Sequence, residues 1–212
     1  MNPLFVGGIA ALGIAATVQY FLGVKKNRLI ASRMSAAAEE AFAPKETNYV
    51  NIGGAIGHNF TYALKEPWTE AKGAMTLSPR QSLLYLPLSR LIGFGDRFFA
   101  NLYTKRAMLG EMHLVEAGHL RRAKIDGIGG MERREVRKGG KRFVMLWKGK
   151  DDTAVLGAIL DALPDPSALR HFCCFPDNRT VFFYLAPRKG ELGGALPVLE
   201  RQARACVRGK EA

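Results

Sequence analysis

Residues 4–24 read LFVGGIAALGIAATVQYFLGV and are followed at once by Lys25, Lys26, Asn27 and Arg28. No charged side chain occurs before Lys25. As a helix rising about 1.5 Å per residue, the run from Leu4 to Val24 covers roughly 31 Å, the depth of a bilayer's hydrocarbon core. A secretory signal peptide places its positive charges before the apolar stretch and a small-residue cleavage site after it; here the order is reversed. Lysine and arginine are retained on the cytoplasmic side. Residues 1–24 are therefore expected to be a single transmembrane anchor in the cell membrane, with the N-terminus outside and everything after Lys25, Lys26 and Arg28 in the cytoplasm. One anchor provides no transport pathway by itself.

Beyond the junction, Ile30, Met34, Ala37 and Ala41 recur at helical spacing until Pro44, which predicts a juxtamembrane helix over 25–43. The remaining residues, 44–212, are enough for one cytosolic domain with its own core. Tyr49 to Leu77 has the grammar of short strands and turns. Ser78-Pro79 looks like an N-cap with proline in the first turn, opening a helix through Leu83, Leu84, Leu88, Leu91 and Ile92 that Pro87 should kink or shorten. Phe98 to Tyr103 is predicted extended, and Glu111 to Ala117 is extended or helical. Lys138-Gly139-Gly140-Lys141 is a strong hairpin signal between Glu132–Val136 and Arg142–Trp147. Thr153 to Leu163 is predicted helical, with Asp151-Asp152 at its start. Asp165 or Ser167 caps a short element, Thr180 to Leu185 is a strand, and Leu192 to Val207 is a final amphipathic helix. The predicted class is α+β: a transmembrane helix, then antiparallel strands with packed helices.

The net charge is +12, and half of that excess lies between Leu120 and Arg142. Nine basic residues there (Arg121, Arg122, Lys124, Arg133, Arg134, Arg137, Lys138, Lys141 and Arg142) face three acidic ones. The segment suits a solvated face, anionic lipid headgroups or the phosphate backbone of ribosomal RNA. Gly127, Gly129 and Gly130 favour a mobile arm, and the excess of arginine over lysine suits bidentate phosphate contacts. Few aromatics are available for stacking, so base reading, and with it a DNA partner, is not expected. Within the apolar run, Gly7, Ala11 and Ala15 recur every four residues with Gly8 beside them, a small-residue surface that permits a neighbouring membrane helix to approach.

No catalytic, cofactor or metal signature emerges. His58, His113, His119 and His171 fit no ligand or nucleophile spacing, and Cys173-Cys174 lacks that of a zinc knuckle. The three cysteines, completed by Cys206, are expected as buried reduced thiols. The glycines of Asp126-Gly127-Ile128-Gly129-Gly130 are followed by no Gly-Lys-Ser/Thr, so no phosphate loop is read there.

Four stretches carry a resemblance: Lys26-Asn27-Arg28-Leu29-Ile30-Ala31, Glu70-Ala71-Lys72-Gly73-Ala74-Met75, Pro79-Arg80-Gln81-Ser82-Leu83-Leu84 with Arg90 beyond it, and Arg179-Thr180-Val181-Phe182-Phe183 before the last helix. In this order they resemble the calumin family, the coiled-coil membrane protein of the PAT complex that accompanies the Sec translocon during multipass membrane-protein insertion. The family's acidic lumenal region and basic coiled-coil tail have no counterpart here, so calcium binding and tail-mediated ribosome contact are not implied. The resemblance implies a minimal, non-enzymatic accessory factor for membrane-protein insertion, docked beside a Sec translocon or insertase, with ribosome contact through residues 120–142. The alternative expectation is a membrane-tethered enzyme or ligand-binding domain acting on lipid or another anionic small molecule.

Overall fold

The apolar run and the segment after it form one helix, α1 (Pro3–Phe42), about 60 Å long at the standard rise. Asn2 caps its start, accepting from the Leu4 N–H, and it stops two residues before Pro44, with Ala43 as its C-cap. This computed structural model describes residues 2–151 and 153–209; Asp152 of the expected helix start lies outside them. By length and composition α1 is the one helix among these residues able to cross a membrane.

After α1 come β1 (Glu46–Asn51), β2 (Gly57–Ala63), β3 (Trp68–Thr76), α2 (Tyr85–Leu91), β4 (Arg97–Thr104), β5 (Met112–Glu116), α3 (Leu120–Ala123), β6 (Glu132–Lys138), β7 (Lys141–Trp147), α4 (Thr153–Ala162), β8 (Leu169–Phe175), β9 (Thr180–Leu185) and α5 (Leu196–Arg204). All nine strands join one antiparallel sheet in the order β1-β2-β3-β4-β9-β8-β5-β7-β6. The α+β class is as expected from sequence.

Alternation along the strands separates two faces. On β4, Phe98, Ala100, Leu102 and Thr104 are buried while Arg97, Phe99, Asn101 and Tyr103 point the other way. The buried face receives the helices. Phe42 of α1 meets the rings of Tyr62 and Phe183, and α5 is tied to β3 by the Trp68 indole N–H, which donates to Glu200 Oε1 at 2.9 Å. The second half of α1 is thus not a separate juxtamembrane piece. Ile30, Met34, Ala38 and Phe42 belong to the same core as the sheet. Residues 25–43 are amphipathic because one stripe faces that core.

Three elements differ from the sequence expectation. Ser78 caps no helix: its N–H and hydroxyl both donate to Asp96 Oδ1, at 3.0 and 3.3 Å. The helix starts only at Tyr85, so that Pro87 falls in its first turn, where a missing N–H costs least. The final helix begins at Leu196 rather than Leu192, its second residue being Pro197. The glycines of 127–130, which favour a mobile arm, form a short 3₁₀ turn at Ile128–Gly130, and the strand expected from Glu132 follows as the edge strand β6. Gly139 and Gly140, at φ +56° and +72°, close the β6–β7 hairpin with the left-handed pair that a two-residue turn requires.

If α1 is part of the core, Met34→Ala will cost about 2–5 kcal/mol, the usual range for emptying a filled core site. Leu29→Ala, on the exposed side of the same helix, will stay within about 0.5 kcal/mol. Thermal unfolding of the detergent-solubilised protein, followed by circular dichroism, distinguishes the two; equal effects would detach α1 from the fold.

Candidate functional site: a cationic cleft on the open sheet face

The face of the sheet opposite the helix layer carries Arg97 and Phe99 on β4, Phe182 and Tyr184 on β9, His171 and Cys173 on β8, and His113 and Val115 on β5. The register sets Phe99 beside Tyr184, Tyr184 beside His171, and Cys173 beside His113. At Leu169–His171 the β8–β9 register slips, leaving Arg170 as the extra residue. Such a bulge re-aims a side chain, and Arg170 reaches Glu116 on β5 at 3.1 Å. The α3 turn lies on this face, with the His119 ring edge-on to Tyr184 at 5.1 Å.

Between these elements are two adjoining cavities of about 400 and 360 Å³ that share Arg97, His119, Arg122 and Tyr184. Arg170, Gly93 and Gly95 complete the first; Phe99, Phe182 and His171 complete the second. One end is therefore cationic and the other aromatic. The two carboxylates at the cationic end are already engaged. Asp96 is held by both terminal nitrogens of Arg80, at 2.8 and 2.7 Å, and Glu116 is shared by Arg170 and Lys141. Arg97 and Arg122 have no acidic partner within ion-pair reach among the described residues; Arg97 lies over the Phe94 ring instead. Burial and then the positive charge of Arg170 hold His119 below the usual histidine range, and Arg122 and Arg97 add to this against the opposing pull of Glu116. At neutral pH it is an uncharged polar group within a positive field.

Behind the aromatic end, Glu111, His113 and His171 form a buried chain. His113 Nε2 lies 3.3 Å from Glu111 Oε1, and His113 Nδ1 lies 3.1 Å from His171 Nε2. With Nε2–H donating to the carboxylate, Nδ1 accepts the proton of His171. The Cys173 thiol joins the two imidazoles in a group whose ligand atoms lie within 4.8 Å of one another. These are metal-ligating types, but both facing ring nitrogens are satisfied by their mutual hydrogen bond, and burial pushes the thiol well up, favouring its protonated form. All three cysteines are buried, as expected.

The nine basic residues expected as one contact surface are divided by the fold. Arg121, Arg122 and Lys124 lie at α3; the other six lie on the β6–β7 hairpin. Arg134 pairs with Asp151, Lys138 with Asp161, Lys141 with Glu116, and Arg133 with Glu135. Arg137 and Arg142 face each other across the ladder. Only Arg122 enters the cleft. Arg97, Arg170 and His119, its other cationic-end residues, come from β4, β8 and the β5–α3 turn, and sequence spacing carries no trace of their meeting. In the apolar run, Gly7, Gly8, Ala11 and Ala15 are exposed, and so are Lys25, Lys26 and Arg28. Compared with protein-family models and with curated proteins, the sequence matches none.

The buried histidines make the fold acid-sensitive. Burial, reinforced by charge on His113 and His119, lowers His171 to about 3, whereas an unfolded histidine titrates near 6.5. Below that pH the unfolded chain binds a proton that the folded chain refuses, so this contribution to stability is intact at neutral pH and is lost as pH falls toward 3. The slope is at most about 1.4 kcal/mol per pH unit for one such group. His171→Gln, which retains a neutral donor toward His113, will flatten the dependence of Tm on pH between 6.5 and 4.5; an unchanged slope would place the acid sensitivity elsewhere.

Proposed function

We propose that this protein is a single-pass membrane-tethered binding domain whose cleft takes a small anion bearing an aromatic or apolar portion, such as a phosphate or carboxylate amphiphile. The observation that carries this is the convergence of Arg97 and Arg122, which with Tyr184 line both adjoining cavities, with Arg170 in the first and with Phe99 and Phe182 in the second. Arg97 and Arg122, without an acidic partner among the described residues, suit charge-assisted, often bidentate hydrogen bonds to an oxyanion, while Arg170, already paired with Glu116, adds to the positive field. A concave site with an apolar wall and a few convergent polar groups is the usual form of a ligand pocket. No nucleophile stands beside a base at the cationic end, which favours binding over catalysis.

On this proposal α1 spans the cell membrane with its N-terminus outside. Lys25, Lys26 and Arg28, exposed on α1 just past the apolar run, hold the domain in the cytoplasm. A second reading, a calumin-like accessory factor beside a Sec translocon or insertase and the ribosome, is favoured by one specific observation. Gly7, Gly8, Ala11 and Ala15 leave an open strip on α1, and a Cβ added at Gly7 or Gly8 would meet nothing within 4 Å. Such a strip suits another membrane helix. The ion pairs along β6 and β7 leave less free charge for ribosomal RNA than the sequence implies. Recovery of neither Sec components nor ribosomes after gentle purification from native membranes would remove this second reading.

The cleft is tested by titrating the full-length protein in nanodiscs with inorganic phosphate, pyrophosphate and dihexanoyl phosphatidic acid, using calorimetry. Saturable binding is expected, strongest for the amphiphile. Arg97→Gln with Arg122→Gln should weaken it by about 3 kcal/mol or more, since hydrogen bonds to a charged group contribute roughly 1.5–3 kcal/mol each. Equal affinity in wild type and double variant, or no saturable binding of any of the three probes, would overturn the proposal.

A further inference from the structure

Residues 79–95 leave the sheet between β3 and β4, and the first of them, through Leu84, run beside the apolar part of α1. Three contacts fix them there. The Gln19 side-chain amide donates to the Arg80 carbonyl at 2.6 Å, the Asn27 amide donates to the Ser78 carbonyl at 2.9 Å, and Arg80 Nη1 donates to Asn27 Oδ1 at 2.9 Å. At Gly23 the backbones nearly touch; a Cβ there would lie 2.3 Å from the Arg80 carbonyl carbon. Further along α1, Gln81, Ser82, Leu83 and Leu84 border the same apolar groove as Ile9, Leu12, Gly13 and Ala16. The chain then turns into α2 and returns through Gly93 and Gly95.

This excursion is apolar and faces outward. Leu84, Leu88, Leu91 and Ile92 are 80, 52, 85 and 61 % exposed. Between Arg80 and Asp96 the sequence has one charged residue, Arg90, on the returning limb. Several of its polar backbone groups are satisfied from within. The Leu86 N–H donates to the Ser82 carbonyl and the Tyr85 N–H to the Ser82 hydroxyl. The Ser89 hydroxyl donates to the Leu86 carbonyl, and the Phe94 N–H to the Ser89 carbonyl at 2.7 Å. A segment that pairs much of its polar backbone within itself, presents leucine outward and begins beside an apolar helix lowers the cost of placing backbone at membrane depth, where each unpaired group is expensive.

We infer that residues 81–94 form a re-entrant hairpin, a second membrane-inserted element beside α1, whose occupant is the bilayer hydrocarbon. This rests on α1 spanning the membrane and is independent of the cleft's ligand. Continuity commits the occupant to lipid: Leu83 and Leu84 adjoin Leu12, twelve residues before the end of the apolar run. That distance is about 18 Å of helix, more than half of a core about 30 Å thick. The hairpin enters from the side of the sheet, reaches past the bilayer midplane and returns to the same side. Its base is the buried Arg80–Asp96–Asn27 cluster, and Arg90 extends back toward the surface as long cationic side chains do near an interface.

Spin-label accessibility in the full chain tests this. Leu12→Cys, Leu88→Cys, Leu91→Cys and Glu132→Cys are labelled with nitroxide one at a time and reconstituted into phosphatidylcholine–phosphatidylglycerol nanodiscs. Cys173, Cys174 and Cys206 are buried, and the unsubstituted chain provides the labelling control. At 88 and 91 oxygen should relax the label strongly and a nickel chelate weakly, as at 12, with the order reversed at 132. If 12 reads as lipid while the chelate reaches 88 and 91, the hairpin is overturned and the span stands. If 88 and 91 exclude both reagents, a protein partner covers them and the inference also fails. If the chelate reaches 12 as well, the span itself falls, and the hairpin with it.

Discussion

From Gln19 to Phe42 one stripe of α1 is in contact with the rest of the chain, and this packing is what the other features depend on. Leu12, Ala16 and Tyr20 border the 81–84 segment, Gly23 and Asn27 meet residues 78–81, and Ile30, Met34, Ala38 and Phe42 enter the core. No linker separates an anchor from a domain. A rigid helix that is both leaves the sheet little freedom to swing, because reorientation would require emptying the Met34 and Phe42 sites. The steep cost of cavities in close-packed cores makes that unfavourable. The fold thus sets the height and tilt of the open sheet face relative to the apolar run.

The Arg80–Asp96 pair stabilises the junction in a different manner. Asp96 is 5 % exposed, and a buried carboxylate is tolerable only when its lone pairs are filled. Here two Arg80 nitrogens and the Ser78 N–H and hydroxyl fill them, while Asn27 joins the cluster to α1 through Arg80. Breaking one partner would leave an uncompensated buried charge, so the cluster holds as a unit. It specifies where the apolar excursion begins and ends more than it adds net stability, since an apolar replacement of such a pair is often neutral.

What was legible in the sequence is what is local. The 3.6-residue recurrence to Ala41 and the stop at Pro44 located the end of α1, Gly139-Gly140 located the edge hairpin, and Thr180–Leu185 was read as the strand it is. The excursion after Ser78 is not legible because its signals are shared: serine followed by proline opens a helix when the hydroxyl is free to cap, but Asp96, eighteen residues on, takes both Ser78 donors. The cleft was illegible for a related reason. Arg97, His119, Arg122 and Arg170 meet through a strand order that places β4 two strands from β8 and interposes β9, which no spacing rule encodes. The β8 bulge that turns Arg170 is equally invisible. The dense basic segment is conspicuous because charge density is a local property, yet four of the hairpin's six cations are paired with Glu116, Glu135, Asp151 and Asp161.

Gly93 and Gly95 belong to both proposed features. They end the apolar excursion, and they line the cationic cavity together with Arg97, two residues after Gly95. With residues 81–94 in the bilayer, the cationic end of the cleft therefore lies at the level where the chain leaves the hydrocarbon, the level of lipid headgroups. Long-range electrostatics work in the same sense, because an anionic leaflet draws basic groups within about a Debye length of its surface. An amphiphile with its acyl portion still in the membrane would need to rise only far enough to exchange its hydrated headgroup for Arg97, Arg122 and Arg170. Entry along that short path desolvates one end of the ligand while the other never enters water. On this placement, a rigid α1, a charge cluster at its side and a glycine-flanked return form one arrangement that holds a cationic site against a membrane surface.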